Sequence, residues 1–353
     1  MSQAPGEPVI LSLPEAMDRL ASPYGVEGAS VLSGMEALVV DLPAGSGESL
    51  NDDQIEAFAR RLAELACPTV ALSNSSLSGA ASALLPHFDV VLESGALLSP
   101  LLDRVRANPL SSLALVQLLR HNAQVDVHLG LMAESWVYSV LQSGPEFGRW
   151  LAGRGSSSDS TVSEEPAVLA SRSGSALRLC FNRPARHNAV GVALRDGLTE
   201  GLQLALSDEE IREVVLCGLG PSFCSGGDLA EFGTLPDPST AHAVRSTRNV
   251  GRLLNELGSR GRAEVHGACI GAGAELPAFL PRVIAHEEAF FELPEIALGL
   301  VPGAGGTVSL TRRIGRQRTA WLALSGERID AETALAWGLV DEIRSGDAFG
   351  SAR

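Results

Sequence analysis

The stretch Gly-Ala-Cys-Ile-Gly-Ala-Gly-Ala-Glu at positions 267–275 constrains this chain more than any other. The apolar residues ending at Val265 predict a short buried strand before it. Gly267, Gly271 and Gly273 then relax the backbone, and Ala274 to Leu280 reads as the start of an apolar helix. A glycine-rich turn from strand to helix leaves unpaired N–H groups at the helix N-terminus. Such a terminus binds phosphate or stabilises an oxyanion as it forms. A carboxylate in the first helical turn, Glu275, would repel phosphate and so favours the oxyanion. A second, Glu295, follows in Leu-Pro-Glu-Ile, just before Val-Pro-Gly-Ala-Gly-Gly at 301–306. Two carboxylates beside an N–H trap suit proton chemistry alpha to a carbonyl or thioester.

Composition removes several alternatives. All 27 basic residues are arginine, which excludes Schiff-base and lysine-nucleophile chemistry. A net charge of −15 argues against nonspecific binding of nucleic acid or an anionic membrane. An anionic ligand would then need a local arginine cluster. Cys67, Cys180, Cys217, Cys224 and Cys269 contain no C-x-x-C pair, and are expected to be buried reduced thiols. No ligand cluster suggests a metal. No apolar run approaches the ~18 residues of a membrane span, and no secretory leader is legible, so the expected location is the cytoplasm.

The 353 residues allow one large or two modest domains. Glu36–Leu42, Pro68–Ser73 and Asp89–Leu92 read as strands. Asn51 or Asp52 caps a helix through Leu65 with Ile55, Phe58 and Leu62 on one face. Helical patterning runs from Asn108 to about Gly153. The serine-rich run at 153–166 reads as a linker and sets the expected domain boundary. Beyond it come a strand at Ala176–Phe181, a helix from about Val192 to Ala205, a strand at Val214–Gly218 and a mobile loop at 231–246. An internal repeat is also expected: Gly79-Ala80-Ala81-Ser82-Ala83-Leu84 matches Gly271-Ala272-Gly273-Ala274-Glu275-Leu276 at an offset of 192 residues, with Ala83 in place of Glu275.

Five motifs in order then resemble the enoyl-CoA hydratase/isomerase (crotonase) superfamily over about 168–345. They are F-N-R-P-A-R-H-N-A (181–189), S-F-C-S-G-G-D-L (222–229), V-H-G-A-C-I-G-A-G-A-E-L (265–276), L-P-E-I-A-L-G-L-V-P-G-A-G-G-T (293–307) and L-S-G-E-R-I-D-A-E-T-A-L-A-W-G-L-V-D (324–341). The resemblance implies an α/β fold, a spiral of repeated ββα units, and closest similarity to enoyl-CoA hydratase. It implies oxyanion-hole amides at Gly227 and Ala272, where Ala272 replaces the family's usual glycine. Glu275 would orient and activate water, Glu295 would exchange the proton at C2, and the Gly303 amide would face the water. Arg183, Arg186, His187, Ala189, Asp228, Leu229 and Ala230 fall where relatives contact coenzyme A. The thioester is substrate and no cofactor is implied. A homotrimer or hexamer would be expected.

The resemblance also breaks. Family members continue for several helices after the point matching Ile343, whereas this sequence stops at Arg353. The expected organisation is therefore a degenerate half-core at 1–107, a helical segment at 108–153 acting as the absent lid, a linker at 154–166, a catalytic core at 167–345 and a tail at 346–353. The expected reaction is reversible syn addition of water to a 2-enoyl-CoA. Two rivals are an isomerase or related reaction using Glu295 alone, and an acyl-CoA-binding subunit without turnover.

Overall fold

Continuous apolar runs become parallel strands buried on both faces, as parallel sheets require. A computed structural model describes residues 8–43, 50–73, 80–154, 165–234, 237–346 and 349. The chain divides into two compact units, residues 1–120 and 121–353.

In the first unit, β1 (Ile10–Ser12) leads into α1 (Leu13–Ala21) and α2 (Pro23–Gly28). Then come β2 (Leu38–Asp41), α3 (Asp52–Glu64), β3 (Thr69–Leu72), α4 (Ala80–Leu84), β4 (Val90–Leu92), α5 (Leu98–Ala107) and α6 (Pro109–Asn122). The strands form one parallel sheet in the order β1-β2-β3-β4. Asn51 caps α3 with a reciprocal bond from Gln54, and Phe58 and Leu62 turn inward onto the sheet core with Leu38, Val40 and Phe88. Asp89 is buried but accepts from Thr69 N and Oγ1 and from the Arg120 guanidinium, at 2.6–2.9 Å. Its charge is thus fully compensated.

The second unit begins with α7 (Val127–Gln142) and α8 (Pro145–Gly153). Next are β5 (Val168–Ser173), β6 (Ala176–Phe181), α9 (Val192–Ser207), β7 (Glu213–Gly218), α10 (Pro238–Thr247) and α11 (Val250–Glu256). They are followed by β8 (Gly261–Val265), β9 (Ala268–Ile270), α12 (Ala272–Glu275), β10 (Arg282–His286) and β11 (Phe290–Glu292). The last are α13 (Gly306–Ile314), α14 (Arg316–Ser325), β12 (Ile329–Asp330), α15 (Ala331–Trp337) and β13 (Glu342–Arg344). A six-stranded sheet runs β13-β10-β8-β7-β6-β5, parallel except for the outer β5–β6 hairpin. A three-stranded sheet, β12-β11-β9, is fed by the strands leaving β8 and β10. Two turns of the chain, β8-β9-α12 and β10-β11-α13, therefore supply one strand to each sheet and then a helix, the ββα unit expected. The exposed outer face of β5 and the alternating burial of β6 mark the sheet's edge.

Three expectations change. The compact units divide between Arg120 and His121 and not at 154–166, of which residues 155–164 lie outside the described residues. Helices α7 and α8 thus belong with the second unit, because α7 packs on α10 and α13. The segment expected as a loop at 231–246 is helical from Pro238, where Asp237 caps the Thr240 amide and Pro238 opens the first turn. Cys180 and Cys217 are not reduced thiols: the β6–β7 register sets them opposite each other, 4.5 Å apart at Cα, and they are bonded. Cys67, Cys224 and Cys269 are free and buried.

The expected repeat has strand β3 and helix α4 flanking it, as β8, β9 and α12 flank the later copy. Its first turn, residues 74–79, lies outside the described residues.

Candidate active site

Two loops meet back to back. After β7 the chain passes Phe223, whose fully buried ring packs on Phe181 at 5.2 Å between centroids. It then runs beside β9: Phe223 N donates to His266 O, Cys224 N to Ala268 O, and Ile270 N to Cys224 O, at 2.8–3.1 Å. Gly226 turns out of this ladder with φ +96°. Val190 N donates to Gly226 O and Asp228 N to Val190 O, clamping the loop on both sides of Gly227. Among the described residues no acceptor is seen for the Gly227 amide itself. In the second loop Gly271 takes φ +50°, a conformation glycine adopts without strain, and its amide donates to Glu292 O. Ala272 then opens α12, so its N–H is one of the orphan donors of a helix start. It too lacks an acceptor among the described residues.

Gly273 is the contact that allows this approach: a Cβ there would lie 2.3 Å from Cys224 O. Replacing Gly273 with alanine must push the two loops apart. The expected cost is about 1–3 kcal/mol by denaturant unfolding, with activity falling further than stability.

Glu275 ends α12 and is 2% exposed. Its Oε2 accepts from Ala304 N at 2.7 Å and Gly306 N at 2.8 Å. Burial pushes its carboxyl up to about 7, opposed by those two amides. Glu295 opens the 3-10 turn Glu295–Leu298. Its Oε2 is buried without a hydrogen-bond partner among the described residues, while its Oε1 lies against Gly271. Burial, and then the charge of Glu275, raise its carboxyl well above the ordinary range. Gly303 is packed beneath the Tyr138 ring, where a Cβ would come within 2.3 Å. The amides that reach Glu275 are those of its neighbours Ala304 and Gly306.

Glu275, Glu295, Gly227, Ala272 and Gly303 all border one cavity of about 270 Å³ within the second unit. Helix α7 closes part of it with Glu134, Ser135 and Tyr138. Phe232 covers Gly227 and meets Trp150 of α8 edge-on at 5.9 Å.

The residues expected near coenzyme A are mostly occupied locally. The Arg183 guanidinium donates to the carbonyls of Glu165, Pro166 and Asn182. Arg186 pairs with Asp228 at 3.0 Å. His187 adopts φ +49°, and its Nδ1 lies 2.9 Å from Ser222 Oγ. Ala189 N donates to Arg186 O, Ala230 N caps on Asp228, and Leu229 stands half exposed. Of these residues Asp228 borders the cavity. Three other arginines do so as well: Arg195, Arg245 and Arg248. Arg195 and Arg248 share Asp196, whereas Arg245 donates to Ser135 and Ser139 and lies 4.9 Å from the Tyr138 ring centre.

Sequence reasoning missed Glu134, Tyr138 and Arg245. A signal existed: Leu131, Glu134 and Tyr138 share one helical face, and an acid flanked by core-facing residues is seldom a solvated one.

Main-chain donors left open beside two buried carboxylates define an acid/base site for a substrate that gains negative charge on oxygen. Residues 171–352 match the model of the family described as Enoyl-CoA hydratase/isomerase, and the chain belongs to that family. It is an enzyme of the crotonase type. It is 37% identical over 181 residues to the 2,3-dehydroadipyl-CoA hydratase of Escherichia coli (strain K12), covering 51% of this chain and 70% of that protein. It is 34% identical over 175 residues to the mevalonyl-coenzyme A hydratase SIDH of Beauveria bassiana, covering 47% of this chain and 62% of that one. The solved enoyl-CoA hydratase of Mycobacterium smegmatis is 32% identical with a TM-score of 0.48, covering 51% of this chain and 71% of that chain.

Proposed function

We propose that the protein adds water reversibly across the 2,3 double bond of an enoyl-CoA. The observation that carries this reading is that Glu275 and Glu295 border one cavity together with Gly227 and Ala272, whose amides have no acceptor among the described residues. A reaction needing one base would not require the second buried acid.

The amides hold the thioester oxygen as it gains enolate charge. Glu275 takes a proton from water while the water oxygen bonds C3, and Glu295 gives its proton to C2. One turnover leaves Glu275 protonated and Glu295 ionised, and solvent exchange restores both. The opposed environments suit these roles: Glu295 lacks donors for its buried Oε2 and keeps a proton, while two amides help Glu275 give one up. The enzyme would need only the thioester substrate, with Arg195 and Arg248 among the cavity-lining cations for its phosphates.

Mixing the full chain with a short 2-enoyl-CoA should bleach the absorbance of the conjugated thioester. No bleaching across a chain-length series, with the acyl-CoA bound, would point instead to a subunit that binds without turnover.

A further inference from the structure

Four successive amides at the start of α13 are dealt alternately to two carboxylates. Ala304 N and Gly306 N go to Glu275, as described. Gly305 N donates to Glu134 Oε1 at 2.7 Å, and Thr307 N donates to Glu134 Oε2 at 3.1 Å. Thr307 Oγ1 adds a third contact to Glu134 Oε2 at 2.5 Å, and is itself reached by Asn122 Nδ2 at 2.9 Å. Glu134 is 3% exposed and comes from α7, some 140 residues upstream of Glu275. Nothing in the reaction above employs it.

We propose that Glu134 is a positioning residue for Glu275: the two carboxylates grip alternate amides of one turn, so that Glu134 holds in place the amides that hold Glu275. This rests on the hydration reading for its catalytic meaning, but not for its physical content. Both Glu134 oxygens are taken up by donors. On Glu275 only Oε2 is so engaged, which leaves Oε1 to exchange a proton with a molecule in the cavity. Burial raises Glu134 to about 8 with the charge of Glu275 adding to it, so the two ionise as a coupled pair. The other ionisable groups around Glu134 are Tyr138 on its own helix, Glu295 from its 3-10 turn and Arg245 from α10. Arg245 favours the anion and Glu295 opposes it, so the pair with Glu275 dominates.

The test is Glu134→Gln in the full chain. Infrared difference titration of the substrate-free protein should show two carboxyls ionising between about pH 6 and 9 in the parent and one in the variant. The kcat of hydration should fall by up to about 10²-fold, the size of loss a misplaced catalytic group causes, with KM little changed. Thr307→Val, which removes one donor to Glu134, should lower kcat in the same way by less. Near-ultraviolet circular dichroism checks that each variant is folded; if Glu134→Gln is not, Thr307→Val carries the test. An unchanged carboxyl titration and an unchanged kcat would overturn the proposal. If the parent hydrates no enoyl-CoA, the hydration reading falls while the infrared titration still decides the role of Glu134.

Discussion

Glu275→Gln should lose hydration by about 10²–10⁴-fold in kcat, the usual size of a general acid/base contribution. The substitution is a clean one because of how Glu275 is held. Its Oε2 alone accepts both amide bonds, so a glutamine carbonyl oxygen can keep Ala304 N and Gly306 N in place. The amide nitrogen then replaces Oε1, and the variant loses a base without losing a hydrogen bond to the turn. Folding should hold, since a buried ionisable group is exchanged for a neutral one of the same shape. The variant also separates the hydratase from its rival. An isomerase that moves protons through Glu295 alone would keep most of its rate with Glu275→Gln and lose it with Glu295→Gln. A hydratase loses activity with either. Equal hydration rates for the parent and Glu275→Gln at pH 7–9 would remove Glu275 from the chemistry.

The acid limb of the parent follows from the same geometry. Glu275 must be ionised to accept a proton from water, and burial holds its carboxyl up to about 7. Activity should therefore rise with pH through that region, well above where an ordinary glutamate would set the limb. A limb near the ordinary carboxylate range would mean that water reaches Glu275 freely.

What was legible in the sequence was local. The turn at 267–275 is readable because strand, glycines and helix start are contiguous, and because a positive φ at Gly271 is a demand that one residue type meets without strain. Glu275 and Glu295 stand twenty residues apart, yet both were identified from the family's motif spacing. Glu134 was hidden for a physical reason. Its partners are amides at 305 and 307, and nothing within one helix of sequence announces a bond to backbone 170 residues away. The Cys180–Cys217 link was invisible likewise, since only the β6–β7 register sets the two side by side. The division at 120/121 escaped notice because composition marks a polar linker at 154–166, whereas packing assigns α7 and α8 to the second unit. Cations were misplaced too. The arginines of the 181–189 motif are expected to be available, but Arg183 is occupied by three carbonyls. Arg245, far from any motif, borders the cavity.

Ala272→Pro should cost about 10²–10³-fold in kcat, the loss seen when one oxyanion donor is removed, while Ala272→Gly should retain most of the parent rate. The pair isolates a single N–H. Ala272 is the first residue of α12, the position where proline is tolerated because its missing N–H has no intrahelical acceptor. Proline also disfavours the α region in the residue before it, but Gly271 already lies outside that region, at φ +50° and ψ −117°. The backbone is therefore not asked to move; the donor disappears and the ring Cδ takes the place of its hydrogen. Because the oxygen it grips carries more charge in the transition state than in the bound substrate, kcat should fall far more than KM rises. A proline variant that folds, binds the thioester and turns over at the parent rate would show that the charge is stabilised elsewhere. Glycine at 272 is the usual residue of the family, and its N–H is in the same place, so tolerance there and intolerance of proline assign the effect to the amide and not to the side chain.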